Sequence, residues 1–474
     1  MTPHLLTRRD AMATLAALAS AAATSRLEGQ EAGTPWRLSV FKADVTPRLG
    51  HPLIGNNFAP STSVADPLFA KGFVLQDVSA GASPSLSPSQ APIVLVAVDW
   101  CEIRNEAYAQ WRKALAEAVG TTIDRVLVTS VHQHDAPYFD LGAQKLLDES
   151  PGGGRMCDAE FHQRTVERVA AAAKEGLSKA QPVTHLGLGQ AKVEKIASSR
   201  RVEIGGKVSF RRYSRAPDAA LRELPEGLID PWLKTISFWN ADRPLAALSA
   251  YACHPMSYYG SGEISADFVG HARERREQDD PQAFQIYVSG CCGDVTAGKY
   301  NDGATSNRAA FTDRLHRAMS DAWKAVERRP LARVACRSTP MLLPHGEQAN
   351  LSVESLRAEL TNQKSLGPRI QAALGLSSLL RNPAGHEIDV QTIDFGAAQL
   401  VLLPAESFVA YQLMAQKVRP DSFVMAVGFG ECAPGYIPTD EDFREGYREE
   451  HRYCWVAPGT EKIIADTLAK ALAK

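Results

Sequence analysis

His132 and His134 stand on either side of Gln133, at the end of the apolar run Arg125 to Val131. Residues two apart on an extended strand share a face, so both imidazoles are expected to address one site. A second apolar run, Ala246 to Ala252, ends at His254, where Pro255 stops the strand. Three further runs also end in carboxylates: Asp99 after Ile93 to Val98, Asp294 after Phe284 to Ser289, and Glu406 after Leu400 to Leu403. Neutral imidazole and carboxylate suit zinc, whose catalytic sites combine about three protein ligands with a water. Neither HExxH nor GxSxG is present, so a helical zincin site and a serine nucleophile elbow lose their usual signs. Each residue also has a plainer reading. The histidines could be capped strand-end residues, and Glu406 a first-turn residue held by the dipole of a helix starting near Ser407.

The runs that carry these groups are continuous rather than alternating, as expected of strands buried on both faces. Phe423 to Val427 is another, and helical patterns lie between them at Asn105 to Ala118, Glu160 to Leu177, Asn307 to Val326, Val353 to Lys364 and Glu461 to Ala473. The expected fold class is α/β: mixed layered sheets flanked by helices, in a single large catalytic domain over 36–474, with the metal site at the carboxyl ends of strands. The Ser/Pro-rich stretch Gly81 to Pro92 reads as a long hairpin loop after the strand-like Phe73 to Gln76. No repeat at a solenoid or propeller period is visible.

The charge balance, 52 basic against 54 acidic residues, leaves a net of -2 without a basic stripe, which argues against nucleic acid as a partner. Residues 1–30 read as an export signal: Arg8 and Arg9 precede the alanine-rich run Ala11 to Ala23. Thr7-Arg8-Arg9-Asp10 is of twin-arginine type, with a Sec signal as the alternative. The run is too short for a permanent membrane anchor, so a periplasmic or extracellular location is expected. Eight cysteines in 474 residues make no dense disulfide framework. Adjacent Cys291 and Cys292 are poorly placed to pair with each other. Cys432 and Cys454 are either a disulfide or two buried thiols.

Taken in order, several short motifs resemble the catalytic region of the neutral, non-lysosomal ceramidases and their shorter bacterial relatives. They are Lys42-Ala43-Asp44-Val45-Thr46-Pro47, Ala65-Asp66-Pro67-Leu68, His132-Gln133-His134, Cys253-His254-Pro255, Ile264-Ser265-Ala266-Asp267, Gly293-Asp294-Val295-Thr296, Pro404-Ala405-Glu406 and Gly435-Tyr436-Ile437-Pro438-Thr439. The resemblance implies one zinc ion per chain, held by His132, His254, Glu406 and Tyr436, with His134 facing the substrate. Arg200 falls where the family has a substrate-holding arginine, and Tyr447 near a tyrosine that assists at the reacting carbonyl. Asp294 and Thr296 are expected beside the site, whereas Asp44, Asp66, Asp99 and Asp267 are expected to be structural. Such a site activates water against an N-acyl amide, with a small-molecule or lipid substrate and no protein partner implied. His134 would shuttle a proton to the leaving amine or orient a substrate hydroxyl.

Three departures bear on substrate. Asp135 stands where the family has a serine, Thr296-Ala297-Gly298 replaces serine-proline-asparagine, and after the Glu461 helix no length remains for the family's immunoglobulin-like C-terminal domain. A carboxylate beside an apolar chain is costly unless paired, so Asp135 points to shorter or more polar N-acyl compounds than long-chain ceramide, unless it caps the turn before Pro137. Export is open to a direct test. Replacing Arg8 and Arg9 together with Lys is expected to leave precursor in the cytoplasm, read by fractionation and immunoblot. Normal processing of that variant would assign the signal to the Sec route.

Overall fold

The computed structural model describes residues 35–79 and 90–474. The stretch read as an export signal and most of the Gly81 to Pro92 loop lie outside the described residues. The architecture is mixed α/β, as expected, and one arrangement of elements occurs in it three times.

In the first unit, β1 (Trp36–Asp44), β2 (Phe69–Asp77) and β3 (Ile93–Val98) form an antiparallel meander. Helix α1 (Asn105–Val119) then crosses to β4 (Val126–Ser130), which lies parallel to β3. Parallel neighbours cannot be joined by a tight turn, so the helix is the required connection. After α2 (Leu141–Glu149), α3 (Ala159–Gly176) returns to pack on β1.

The second unit repeats this order with β5 (His185–Lys192), β6 (Trp232–Asn240), β7 (Arg243–Tyr251), α4 (Asp267–Asp279) and β8 (Phe284–Ser289), the last again parallel to its neighbour. Helix α5 (Asn307–Lys324) packs on β5, whose free edge pairs with β9 (Glu327–Pro330). In the third unit β10 (Ala335–Leu343) leads through a helical pair, α6 (Val353–Asn362) and α7 (Leu366–Arg381), to β11 (His386–Asp394) and β12 (Ala398–Leu402). Helix α8 (Val409–Val418) crosses to β13 (Phe423–Val427), parallel to β12, and α9 (Thr460–Ala471) packs on β10. The units begin at Trp36, His185 and Ala335, at nearly even spacing. The sequence hides this repeat because it is one of topology at a period far longer than a solenoid's.

Burial on both faces explains the unbroken apolar runs. Along β3, Ile93, Leu95 and Ala97 enter a core shared with the other two sheets, while Val94, Val96 and Val98 meet a second core with Trp111 and Leu115 of α1. The fourth strands of the units converge. The Ser130 N–H donates to the Phe429 carbonyl (3.0 Å), the Gly428 N–H to the Ser289 carbonyl (2.9 Å), and Ser289 Oγ to the Val131 carbonyl (2.7 Å). The approach is so close that a Cβ on Gly428 would lie 2.9 Å from the Gly290 carbonyl oxygen. All three parallel pairs therefore present their carboxyl ends to one place.

The elements read from the sequence are present within a few residues of their expected ends. Helices α2, α4 and α7 were not expected, whereas α8 is the helix expected to start near Ser407. In α4, Arg-Glu-Arg-Arg-Glu-Gln-Asp blurs any apolar stripe, while α7 buries residues all round its axis. Among the described residues no helix is long and apolar enough to cross a membrane.

Of the four aspartates expected to be structural, Asp99 has the largest role. Its two oxygens each accept from Arg273 at 2.7 Å, and Oδ2 also accepts the Phe69 N–H at 2.9 Å. The pair is buried and joins the first unit to α4 of the second. Asp99→Ala leaves the guanidinium without its counter-charge, and the expected loss of unfolding free energy in urea is about 3–5 kcal/mol. A loss under ~1 kcal/mol would show that this junction does not depend on the pair.

Candidate active site

The strand ends deliver His132 from β4, His254 from β7, and Glu406 from the segment after β12. His132 does not continue the strand. It has a left-handed backbone (φ 76°), held by its N–H donating to the Trp100 carbonyl at 2.9 Å. The imidazoles of His132 and His134 therefore converge through a turn rather than along one strand face, with ring centres 5.2 Å apart and planes perpendicular. Glu406 follows left-handed Ala405 (φ 47°) and lies in a two-residue strand parallel to Tyr436-Ile437, which brings the carboxylate and the phenol side by side.

Each ring is oriented by its far nitrogen. His132 Nδ1 lies 2.9 Å from the Cys101 carbonyl and His254 Nδ1 2.6 Å from the Cys292 carbonyl. Arg200 Nη2 lies 3.1 Å from His254 Nε2, and because arginine can only donate, that nitrogen carries a lone pair. The same Nε2 faces Glu406 Oε2 at 3.0 Å, and His132 Nε2 faces that oxygen at 3.5 Å. His132 Nε2 is buried without a hydrogen-bond partner. Burial and the Arg200 charge lower the His254 pKa to about 4, so at neutral pH the ring is uncharged. Two imidazole lone pairs thus converge on a carboxylate oxygen, and a cation satisfies all three. The donor chemistry of His132, His254 and Glu406 fits zinc, and the Tyr436 phenol, hydrogen-bonded to Glu406, lies beside them. A metal held here would take up the His254 lone pair that now faces Arg200.

Around this centre Arg200 Nη1 donates to Tyr436 Oη at 2.9 Å. Burial works against its charge, but Tyr436, Tyr447 and Glu406 outweigh that and raise its pKa. Phe429 stacks on His132 at 4.1 Å. The His134 ring lies 5.3 Å from Tyr259, its Nε2 has no partner, and burial with the neighbouring histidines keeps it uncharged. Tyr447 lies 5.8 Å from Tyr436, ring to ring, and its hydroxyl has no partner.

Asp294 and Thr296 stand one layer back. Asp294 Oδ1 accepts the Val409 N–H at 2.8 Å, at the start of α8, and the Thr296 hydroxyl donates to the Tyr213 carbonyl at 3.0 Å. Asp135 is buried, and its Oδ1 accepts the Gly260 N–H at 2.9 Å, next to Tyr259. Its structural role is to hold that loop. All eight cysteines are free, so Cys432 and Cys454 are two buried thiols. Burial raises the pKa of all eight.

Sequence reasoning missed Cys101 and His451. Cys101 Sγ lies 3.6 Å from His132 Nδ1, and Cys101 with His132 and His134 forms a second group able to hold a metal. Cys101 lies three residues beyond β3, as His254 lies three beyond β7. An alignment of the units would have found it. His451 stacks on Tyr447 at 4.2 Å with planes 14° apart.

No family model matches the sequence, and no curated protein matches it. Solved structures do. Neutral ceramidase from Pseudomonas aeruginosa superposes with a TM-score of 0.66 at 17% identity, over 92% of this chain and 74% of that one. A ceramidase complexed with C2 gives 0.67 at 16% identity, over 92% and 75%. The chain shares the neutral ceramidase fold.

The geometry of Asp294 has a pH signature. Burial pushes its pKa up to about 7, although the Val409 N–H works the other way. A raised carboxyl pKa favours the folded state below the ordinary carboxylate range, and this contribution is lost as pH rises through about 7. In chelator-treated protein, Asp294→Asn is expected to gain stability relative to wild type as pH rises from about 4 to about 7, read from urea midpoints. A difference that stays constant across that range would show that Asp294 does not titrate there.

Proposed function

We propose that the chain is an exported zinc-dependent amidohydrolase that cleaves N-acyl amide bonds. The observation that carries this reading is the convergence of His132 and His254 lone pairs on Glu406 Oε2, with both far ring nitrogens set against backbone carbonyls. The shared neutral ceramidase fold supports the amide as the bond cleaved. The N-terminal signal supports export.

A zinc ion held by His132, His254, Glu406 and Tyr436 would supply Lewis acidity and lower the pKa of water from about 16 towards 7. The protein's own groups do the rest. Arg200 carries a fixed positive charge beside Tyr436 and can hold the carbonyl oxygen as negative charge develops there. Burial keeps the Tyr447 phenol protonated, so its unpartnered hydroxyl is a donor for the same oxygen. A well-placed donor of this kind contributes roughly 3–4 kcal/mol to lowering the barrier. His134, uncharged with a free nitrogen, can take a proton from water and pass it to the leaving amine.

His132→Ala and His254→Ala are each expected to lose bound zinc, measured by elemental analysis after dialysis. His134→Ala should keep its zinc and lose at least ~100-fold in kcat on N-acyl substrates, the size of a general acid–base contribution. Loss of zinc in His134→Ala would move that residue into the ligand set. A wild type that takes up no zinc would overturn the metal assignment.

A further inference from the structure

His134 is held differently from the two histidines beside it. His132 and His254 each set a ring nitrogen against a backbone carbonyl, whereas the His134 Nε2 has no partner. Its ring packs instead on other rings: His132 at 5.2 Å, His254 at 6.2 Å and Tyr259 at 5.3 Å. The first two belong to the metal centre, so Tyr259 is the ring that fixes His134 from outside it.

Tyr259 is itself held at three points. Its hydroxyl lies 3.0 Å from Ser214 Oγ, on the connection between β5 and β6 that also carries Arg200. The carbonyl before it, of Tyr258, accepts from Arg308 Nη2 at 2.8 Å, and that guanidinium lies 3.7 Å from the Tyr258 ring. The N–H after it, of left-handed Gly260 (φ 87°), donates to Asp135 Oδ1 at 2.9 Å. Asp135 is the residue next to His134. A closed circuit results: the chain joins His134 to Asp135, a hydrogen bond joins Asp135 to Gly260, the chain joins Gly260 to Tyr259, and the Tyr259 ring returns to His134.

The circuit has no slack. The Gly55 N–H donates to the His134 carbonyl at 2.9 Å, and the Ser265 N–H to the Asp135 carbonyl at 3.0 Å. A Cβ on Gly55 would lie 2.8 Å from Asp135 Oδ1, and one on Gly260 2.9 Å from the Gly55 carbonyl oxygen. Asp135 is only 3% exposed, and its Oδ2, buried without a hydrogen bond, faces Arg308 Nη2 at 3.9 Å. A carboxylate so enclosed acts on substrate only through its neighbours, and its charge strengthens the bond to Gly260.

We propose that Asp135 is a positioning residue for His134: through Gly260 and Tyr259 it fixes the imidazole that passes a proton to the leaving amine, and it does not select the substrate. This rests on the amidohydrolase reading above. Proton transfer needs heavy atoms within about 2.6–3.2 Å, so a His134 ring free to turn loses rate rather than affinity.

Kinetics on N-hexanoylsphingosine and N-hexanoylethanolamine, with zinc content measured alongside, separate these roles. Asp135→Ala removes the anchor and is expected to lower kcat about tenfold on both substrates, with KM within twofold and zinc retained. Asp135→Asn keeps an acceptor and removes the charge; it should restore kcat to within about threefold of wild type and leave the kcat/KM ratio of the two substrates unchanged. Tyr259→Leu leaves the anchor in place, so it tests the ring contact even if Asp135→Ala does not fold, and should also cost about tenfold in kcat. Residues acting in series lose the rate once, so the double variant should match the slower single variant. Losses that multiply, a shifted substrate ratio in Asp135→Asn, or full kcat in Asp135→Ala or Tyr259→Leu overturns the proposal. Imidazole signals of 15N-histidine-labelled, zinc-loaded protein, with His134 assigned by its loss in His134→Gln, report the ring without hydrolysis. They should be sharp in wild type and Asp135→Asn and broadened or displaced in Tyr259→Leu and Asp135→Ala; unchanged signals in these last two also overturn it. Ring signals that respond as expected in a protein that cleaves neither amide would leave the positioning standing and remove the amidohydrolase reading.

Discussion

Two imidazole lone pairs and a carboxylate oxygen share one buried space, and without a cation between them they repel. Isolated buried charge costs several kcal/mol, and a buried lone pair without a donor adds to that. The arrangement persists in the fold because each group is fixed from behind. Carbonyls of Cys101 and Cys292 hold the rings, and the short parallel pairing of Glu406-Ser407 with Tyr436-Ile437 holds the carboxylate. These holding groups lie at the ends of strands from three different sheets. The site therefore exists only when all three units are docked.

The threefold arrangement explains how one chain makes such a junction. Each unit contributes a parallel pair whose carboxyl ends point inward, and left-handed backbone at several non-glycine residues turns the chain sharply there: His132, Ala405 and Phe429, with Asn105 and Asp267 where two crossover helices begin. Such conformations cost of order 1–3 kcal/mol each and survive only where surrounding bonds over-determine them. For His132 those bonds include its own N–H to Trp100 and the stack of Phe429 on its ring. The units share their topology but not their chemistry. The position three residues beyond the third strand is Cys101 in the first unit and His254 in the second.

Much of this could be read from the residues alone. Runs buried on both faces gave β3, β8 and β13 with their observed limits, because such strands need no alternation to be recognised. The ionisable residues that follow β4, β7 and β12 (His132, His254 and Glu406) come together, whereas Asp99, at the end of β3, pairs with Arg273 instead. His132 and His134 were rightly joined, though for a geometric reason that fails, since φ at His132 is positive. Asp135 shows the opposite limit. Its charge pointed to the substrate, and only the fold brings the Gly260 N–H, 125 residues away in the chain, to its carboxylate. His451 gave no signal because nothing in its sequence neighbours marks a ring that stacks on Tyr447.

The eight unpaired thiols fix an order of events. Once the core is packed, burial suppresses the thiolate at each of them, and thiolate is the form that oxidants attack. In the unfolded chain the same eight sulfurs have ordinary acidity, and eight cysteines can pair in 105 ways. Oxidation therefore competes with folding only before packing is complete. A chain that packs where thiols are kept reduced carries its sulfurs safely past any later oxidant; one that meets the oxidant first is exposed to scrambling that the finished structure never faces.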